Sequence, residues 1–168
     1  MMHQNDRQNS TAFIALGSNL DNPLKQIKTA CQEIAALPKT SLIQHSSLYK
    51  SAPIAPQEQP DYINAVAKID TGLTPVELLN ALLAIEQRHG RVRDFRNAPR
   101  TLDLDILLYG ALQLNSNDLT IPHPRMIQRA FVLYPLMEIA PDCYIPGHGK
   151  INQLIAACSD QVITRLEK

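Results

Sequence analysis

The chain contains no tryptophan, and aromatic residues make up only 5% of its 168 positions. It also has no net charge, because 16 basic residues balance 16 acidic ones. A surface with few stacking rings and no overall positive field suits neither a long nucleic acid nor an anionic membrane, so local clusters must carry any anion binding. No run approaches the roughly 18 apolar residues that a membrane span requires. The polar first residues lack the apolar stretch of a secretory signal, so a flexible leader over 1–10 and a cytoplasmic location are expected. Cys31, Cys143 and Cys158 are odd in number, far apart and without paired metal-ligand spacing, as befits free thiols in a reducing compartment. Neither glycine-rich phosphate cradle, the G-x-x-x-x-G-K-[ST] loop nor a G-x-G-x-x-G after a strand, occurs. No serine sits in a nucleophile elbow, which sets aside a triad built on His45 or His123. Internal repeats and low-complexity linkers are missing as well.

What remains is ordinary for a globular protein: 45% hydrophobic and 19% charged residues, in a chain long enough for one domain, expected over 11–168. Residues 12–16 are strand-like and stop at Gly17-Ser18-Asn19. Asn22-Pro23 opens a helix whose apolar positions are Leu24, Ile27, Cys31 and Ile34, ended near Pro38. Residues 41–49 form a strand pattern that leads into a loop containing Pro53, Pro56 and Pro60. In 62–70, Ile63, Ala65, Ala67 and Ile69 alternate with Tyr62, Asn64, Val66 and Lys68, so Tyr62 and Asn64 share the face able to look into a site. Thr74-Pro75-Val76-Glu77 is a capping box, Leu78, Leu79, Leu82, Leu83 and Ile85 supply an apolar face, and Gly90 the stop. A strand is expected over 101–109, a helix over 130–139 and a last helix from about residue 151 to 165. The order strand-helix-strand-strand-helix-strand predicts an α+β, ferredoxin-like sandwich.

Chemistry concentrates in two neighbouring segments. Strand alternation puts Asp103 and Asp105 on one face and sends Leu102, Leu104 and Ile106 to the other, into the core. Two carboxylates so close repel and lose hydration unless a positive partner lies beside them. A hard cation such as Mg²⁺ fits, and so does pairing with nearby arginines. Arg91, Arg93, Arg96 and Arg100 directly upstream exceed what two carboxylates need. Surplus guanidiniums beside a metal site suit a polyphosphate, gripped through planar bidentate contacts. His123 lies between two prolines, as a hydrogen-bonded loop residue or a substrate contact. Tyr62 and Phe131 are core aromatics or ligand platforms.

The run Arg96-Asn97-Ala98-Pro99-Arg100-Thr101-Leu102-Asp103-Leu104-Asp105-Ile106-Leu107 resembles the signature of the 6-hydroxymethyl-7,8-dihydropterin pyrophosphokinases. Ala15-Leu16-Gly17-Ser18-Asn19-Leu20, Gln59-Pro60-Asp61-Tyr62-Ile63-Asn64-Ala65, Ile121-Pro122-His123-Pro124-Arg125 and Arg129-Ala130-Phe131-Val132-Leu133 match in the same order. The resemblance implies transfer of diphosphate from ATP to the pterin hydroxymethyl group with release of AMP, a step of folate biosynthesis. It also implies the ferredoxin-like α/β sandwich, a mainly antiparallel sheet with helices on both faces, and two Mg²⁺ ions held by Asp103 and Asp105. By matched position, Arg91, Arg93 and Arg100 are catalytic, and Glu86, Arg91, Arg100, Ile106, His123 and Arg129 lie at ATP. Ser51, Pro53, Ile54, Tyr62, Asn64 and Phe131 line the pterin pocket, Phe131 stacking on the ring. The partners implied are these small molecules only, for a monomer, with no nucleic acid and no membrane. The chain departs from some members in carrying Asn97 where they have an aromatic, in a loop one residue shorter than in some relatives, and in the extra acid Asp94. Competing readings of the same aspartates are a two-metal nuclease or nucleotidyltransferase, and a non-catalytic pterin- or nucleotide-binding protein.

Overall fold

A computed structural model describes residues 8–52, 60–90 and 101–166. The first strand, β1 (Ser10–Ser18), is followed by helix α1 (Pro23–Ala35). Asp21 and Asn22 turn the chain through left-handed backbone at φ 55 and 64, which Asp and Asn tolerate better than other side chains. Pro23 then starts the helix where its missing N–H is harmless. Its inner face is Ile27, Ala30 and Ile34, while Leu24, expected there, is 49% exposed one turn too early to reach the sheet.

The strand pattern over 41–49 divides into β2 (Thr40–His45) and β3 (Tyr49–Ser51). The break is made by Ser46: its N–H donates to the Val66 carbonyl at 2.8 Å, and its Oγ accepts the Val66 N–H at 2.9 Å. A side-chain oxygen thus replaces one carbonyl of the strand pairing. Both pieces pair antiparallel with β4 (Tyr62–Thr71). Helix α2 (Pro75–Arg88) carries the expected capping box: Thr74 Oγ1 accepts the Glu77 N–H, and the Glu77 carboxylate accepts the Thr74 N–H. Gly90 ends it at φ 76, a conformation that favours glycine.

Strand β5 (Asp103–Tyr109) pairs antiparallel with β1, and the sheet runs from β10 (Ile163–Arg165) through β3, β4 and β1 to β5, with β2 also on β4. Two short hairpins follow, β6 (Leu114–Asn115) with β7 (Thr120–Ile121), and β8 (Tyr144–Ile145) with β9 (Gly149–Lys150). Between them lies α3 (Ala130–Ile139), as the sequence predicts. The long last helix does not form. Its place is taken by α4 (Ile151–Leu154), a 3₁₀ turn over Ile155–Cys158 and the strand β10 (Ile163–Arg165), which pairs with β3. β-branched Val162, Ile163 and Thr164 favour the extended chain, and the open edge of β3 supplies the partner.

One core lies on each face of the sheet. Ile14, Leu16, Ile69, Leu104 and Ile106 meet α1 and α2 on one side, while Val66, Leu107 and Leu108 meet α3 on the other. Two consecutive leucines reach the same core because β5 bulges against Phe13/Ile14, leaving Leu107 without a register partner. The result is the expected α+β sandwich.

Candidate active site

Register places Tyr49 on β3, Asn64 on β4, Gly17 on β1 and Asp103 on β5 in one row across the sheet. Directly paired residues share a face, and this is the face that α3 covers. Ala15 and Val66 sit in the next row together with Asp105. Asp103 and Asp105 are both half-exposed, and the Leu104 and Ile106 side chains between and beyond them are buried against α1 and α2. The alternation expected from sequence is therefore present. Ile106, expected at ATP, is 3% exposed on the opposite face, where strand geometry must send it, so its side chain does not approach the acid pair.

Among the described residues β5 is the sheet edge, and the Leu104 N–H, between the two aspartates, meets no strand there. The Glu86 carboxylate, reaching from α2 and only 2% exposed, accepts that N–H at 2.7 Å. Glu86 thus holds the backbone on which both aspartates stand.

His123 is brought beside this strand by the bulge, whose Leu107 carbonyl accepts the His123 N–H at 3.0 Å. Its Nδ1 accepts the Arg125 N–H at 3.2 Å, so the ring proton belongs on Nε2, which lies 3.9 Å from Asp105 Oδ2. Burial first, then the Arg129 guanidinium, pushes His123 down to about 4 against an opposing pull from Asp103, with Arg125 adding to the depression. The ring is a neutral hydrogen-bond donor at pH 7. Burial also lowers Arg129, which Asp105 counteracts most strongly. Its guanidinium carbon stands 5.4 Å from the centroid of the Phe131 ring, a cation–π distance. Asp103, Asp105, His123, Arg129 and Phe131 are therefore one cluster.

Asn64 faces that cluster across Gly17. Its Nδ2 donates to Ser51 Oγ at 2.8 Å, which fixes the amide and turns Oδ1 toward the Gly17 side. Tyr62, two residues earlier on the same face, has its ring edge beside Gly17 as well. The wall behind them is braced by Glu138 of α3, whose carboxylate accepts Tyr49 O–H at 2.7 Å and the Ser47 N–H, and meets Arg165 of β10. Burial raises Tyr49 to about 12, with the hydrogen bond to Glu138 adding to it. Pro53, Ile54, Arg91, Arg93, Arg96 and Arg100 lie outside the described residues.

Three residues read from sequence as the stop of the first strand lie beside this cluster, two of them still within β1. Gly17 floors the row, Ser18 is fully buried with its Oγ donating to the Thr101 carbonyl, and buried Asn19 donates to the Pro60 carbonyl at 3.1 Å. The available signal was two polar residues placed without interruption after an apolar strand. Thr101 Oγ1 is a buried hydroxyl without a hydrogen-bond partner among the described residues, two residues before Asp103.

The donors fit a hard cation: two carboxylates, with no third His, Cys, Asp or Glu completing a metal cluster among the described residues. Remaining ligands would come from water and a bound phosphate, the usual habit of Mg²⁺. The cluster so offers carboxylates, a guanidinium and a neutral N–H at one end, and a fixed amide with aromatic rings at the other.

The chain is similar to known proteins. The family described as 7,8-dihydro-6-hydroxymethylpterin-pyrophosphokinase (HPPK) matches residues 13–141. A Pseudomonas aeruginosa protein named 2-amino-4-hydroxy-6-hydroxymethyldihydropteridine pyrophosphokinase is 50% identical over 154 residues, 92% of this chain and 95% of that protein. One of the same name from Haemophilus influenzae is 50% identical over 156 residues, 93% of this chain and 98% of its own length. The crystal structure of Plasmodium falciparum HPPK-DHPS wild type with SDX-DHP superposes with a TM-score of 0.70, at 15% identity over 90% of this chain. This chain spans 44% of that one, and the likeness concerns the fold alone.

Proposed function

The chain belongs to the 7,8-dihydro-6-hydroxymethylpterin-pyrophosphokinase family, and from that premise we propose how its residues divide the work. The reaction transfers diphosphate from ATP to the hydroxymethyl group of 6-hydroxymethyl-7,8-dihydropterin, a step of tetrahydrofolate biosynthesis. The hydroxymethyl oxygen forms a bond to the β-phosphorus, the bond from that phosphorus to the α,β-bridging oxygen breaks, and AMP leaves with that oxygen. The hydroxyl proton is lost to solvent or to a phosphate oxygen.

The observation that carries the division of labour is the row Asn64–Gly17–Asp103. Two strand spacings separate its ends by about 10 Å. A flat heterocycle held at Asn64 projects its substituent toward the acid pair from there. Asp103 and Asp105 would hold two Mg²⁺ ions, which when bound would supply charge neutralisation at the phosphates and acidify the acceptor hydroxyl. Arg129 supplies a half-buried positive charge, and His123, neutral, donates its Nε2–H to a phosphate oxygen. Arg91, Arg93 and Arg100 complete the phosphate grip. Glu86 acts through the Leu104 backbone rather than on the nucleotide, and Ile106 contributes main-chain groups only.

In the pterin pocket, Asn64 presents Oδ1 to the donor edge of the ring while Ser51 keeps the amide from rotating. Phe131 stacks on the ring with one face, its other face being taken by Arg129. Tyr62, Pro53 and Ile54 enclose it. The reaction needs charge neutralisation and in-line alignment more than a covalent catalyst. The enzyme works as a cytoplasmic monomer, with residues 11–168 as one domain.

The test is direct: protein, ATP, Mg²⁺ and 6-hydroxymethyl-7,8-dihydropterin are incubated and AMP is followed. AMP release that depends on the pterin is expected. Its absence refutes the function.

A further inference from the structure

His89 is a buried titratable side chain that the mechanism above does not use. It follows Arg88, the last residue of α2, and its N–H donates to the Ile85 and Glu86 carbonyls at 3.1 Å each. A side chain at the open end of a helix ordinarily reaches into water, yet this one is only 8% exposed. Its ring lies against α1 and meets an acceptor at either nitrogen, Gln26 Oε1 at Nδ1 and the Glu33 carboxylate at Nε2. The Gln26 amide is not free to turn, because its Nε2 donates to the Asp21 carbonyl at 2.9 Å and leaves Oε1 for the ring. An ionised carboxylate only accepts. Both ring nitrogens therefore donate, so the ring fits this seat as the imidazolium, at the helix end that favours a cation.

Joining the two helices does not by itself call for this seat, since Arg88 already meets Glu33 at 3.1 Å on the exposed side. What the ring adds is a fixed last turn, where a helix otherwise frays. That turn carries Glu86, whose carbonyl accepts the His89 N–H and whose carboxylate accepts the Leu104 N–H at 2.7 Å. Bonds therefore run without a gap from α1 through His89 and Glu86 to Leu104, the residue between Asp103 and Asp105.

We propose that His89 is a positioning residue for the acid pair: by pinning the last turn of α2 to α1, it sets where the Glu86 carboxylate meets β5. The consequence for catalysis rests on the function given above; the consequence for the strand does not. Without the ring, the last turn loosens, Glu86 holds the Leu104 N–H less of the time, and the two aspartates lose their fixed spacing. Misplacement of about 1 Å at reacting groups lowers a rate on the order of 100-fold, so partial loosening lowers it about 10-fold. The pterin end is left alone, because Asn64, Ser51 and Phe131 stand on other elements.

The experiment compares wild type with His89→Ala, Glu86→Ala, the double variant and Arg88→Ala. It measures amide exchange at Leu104 relative to Ile14 in the core of β1, and pterin-dependent AMP release. For His89→Ala, exchange at Leu104 should rise about 10-fold more than at Ile14, and kcat should fall about 10-fold with KM for the pterin unchanged. Arg88→Ala, which loses only the exposed partner of Glu33, should match wild type in both. The double variant should exchange at Leu104 no faster than Glu86→Ala, because the histidine acts through that carboxylate. Exchange at Leu104 that rises only in step with Ile14 makes His89 a fastener between helices and overturns the proposal. So do additive effects in the double variant, or faster exchange at Leu104 with kcat unchanged. Wild type that releases no pterin-dependent AMP refutes the underlying function, and the seating of β5 is then decided by exchange alone.

Discussion

Truncating Glu86 should loosen the strand that carries the acid pair, and the size of the effect follows from its surroundings. Glu86→Ala leaves the buried Leu104 N–H without the acceptor it now has at 2.7 Å. An orphaned buried donor costs about 1–3 kcal/mol, and the lost methylene adds about 0.8 kcal/mol. A total near 3 kcal/mol lowers the thermal midpoint by about 6–12 °C for a chain of this size. Glu86→Gln keeps an acceptor oxygen and should lose less than half as much. Amide hydrogen exchange is the sharper assay: removing about 2 kcal/mol of protection speeds exchange at Leu104 by about 30-fold, with core amides of α1 following only the global change. Exchange at Leu104 unchanged in Glu86→Ala, together with a midpoint within 2 °C of wild type, would falsify the claim that this carboxylate secures the edge.

Glu138 is held below the usual carboxylate range: burial opposes this, but hydrogen bonds from Tyr49 and Ser47 and the Arg165 charge outweigh it. A depressed carboxylate stabilises the fold above its unfolded value of 4.5 and loses that contribution as pH falls through its folded value. Glu138→Gln should therefore be less stable than wild type by about 2 kcal/mol at pH 7, with the gap closing toward pH 3 in urea unfolding; a gap independent of pH would contradict the ionised network. For His123, ¹⁵N-edited imidazole spectra of the ligand-free protein should show a neutral ring protonated on Nε2 at pH 7 and a titration near 4. A midpoint near the ordinary 6.5 would mean that the ring is neither desolvated nor beside Arg129.

Local chemistry was the legible part of this chain. The Thr74–Glu77 box, the Gly90 stop and the Asp103–Asp105 alternation depend on residues within four positions of each other, so the sequence displays them whole. Features that depend on distant partners were not visible. Residues 151–165 carry helical spacing, yet Val162, Ile163 and Thr164 extend because β3, more than a hundred residues earlier, offers an unpaired edge. Ser46 interrupts a good strand pattern through a bond to Val66, which no local count reveals. The acid pair, Arg129, His123 and Phe131, distant in sequence, lie close together in the fold. The resemblance implies a place for Glu86 near the nucleotide, and no local pattern reveals its burial or its bond to the Leu104 N–H, eighteen residues on. Gly17 is read from sequence as the end of a strand that in fact continues to Ser18, because its pairing with Asn64 and Asp103 lies far along the chain.

The most direct measurement concerns the acid pair itself. Asp103→Asn and Asp105→Asn keep the shape of each side chain and remove one negative charge, so the thermal midpoint and pterin affinity should stay near wild type. Mg²⁺-dependent AMP release should fall about 10³-fold in each, the loss expected when a charge-neutralising site at the transferred phosphates is emptied. Turnover near wild type, or a loss of activity no larger than a parallel loss of folding stability, would show that the pair is a structural feature of the strand and not the seat of the metal.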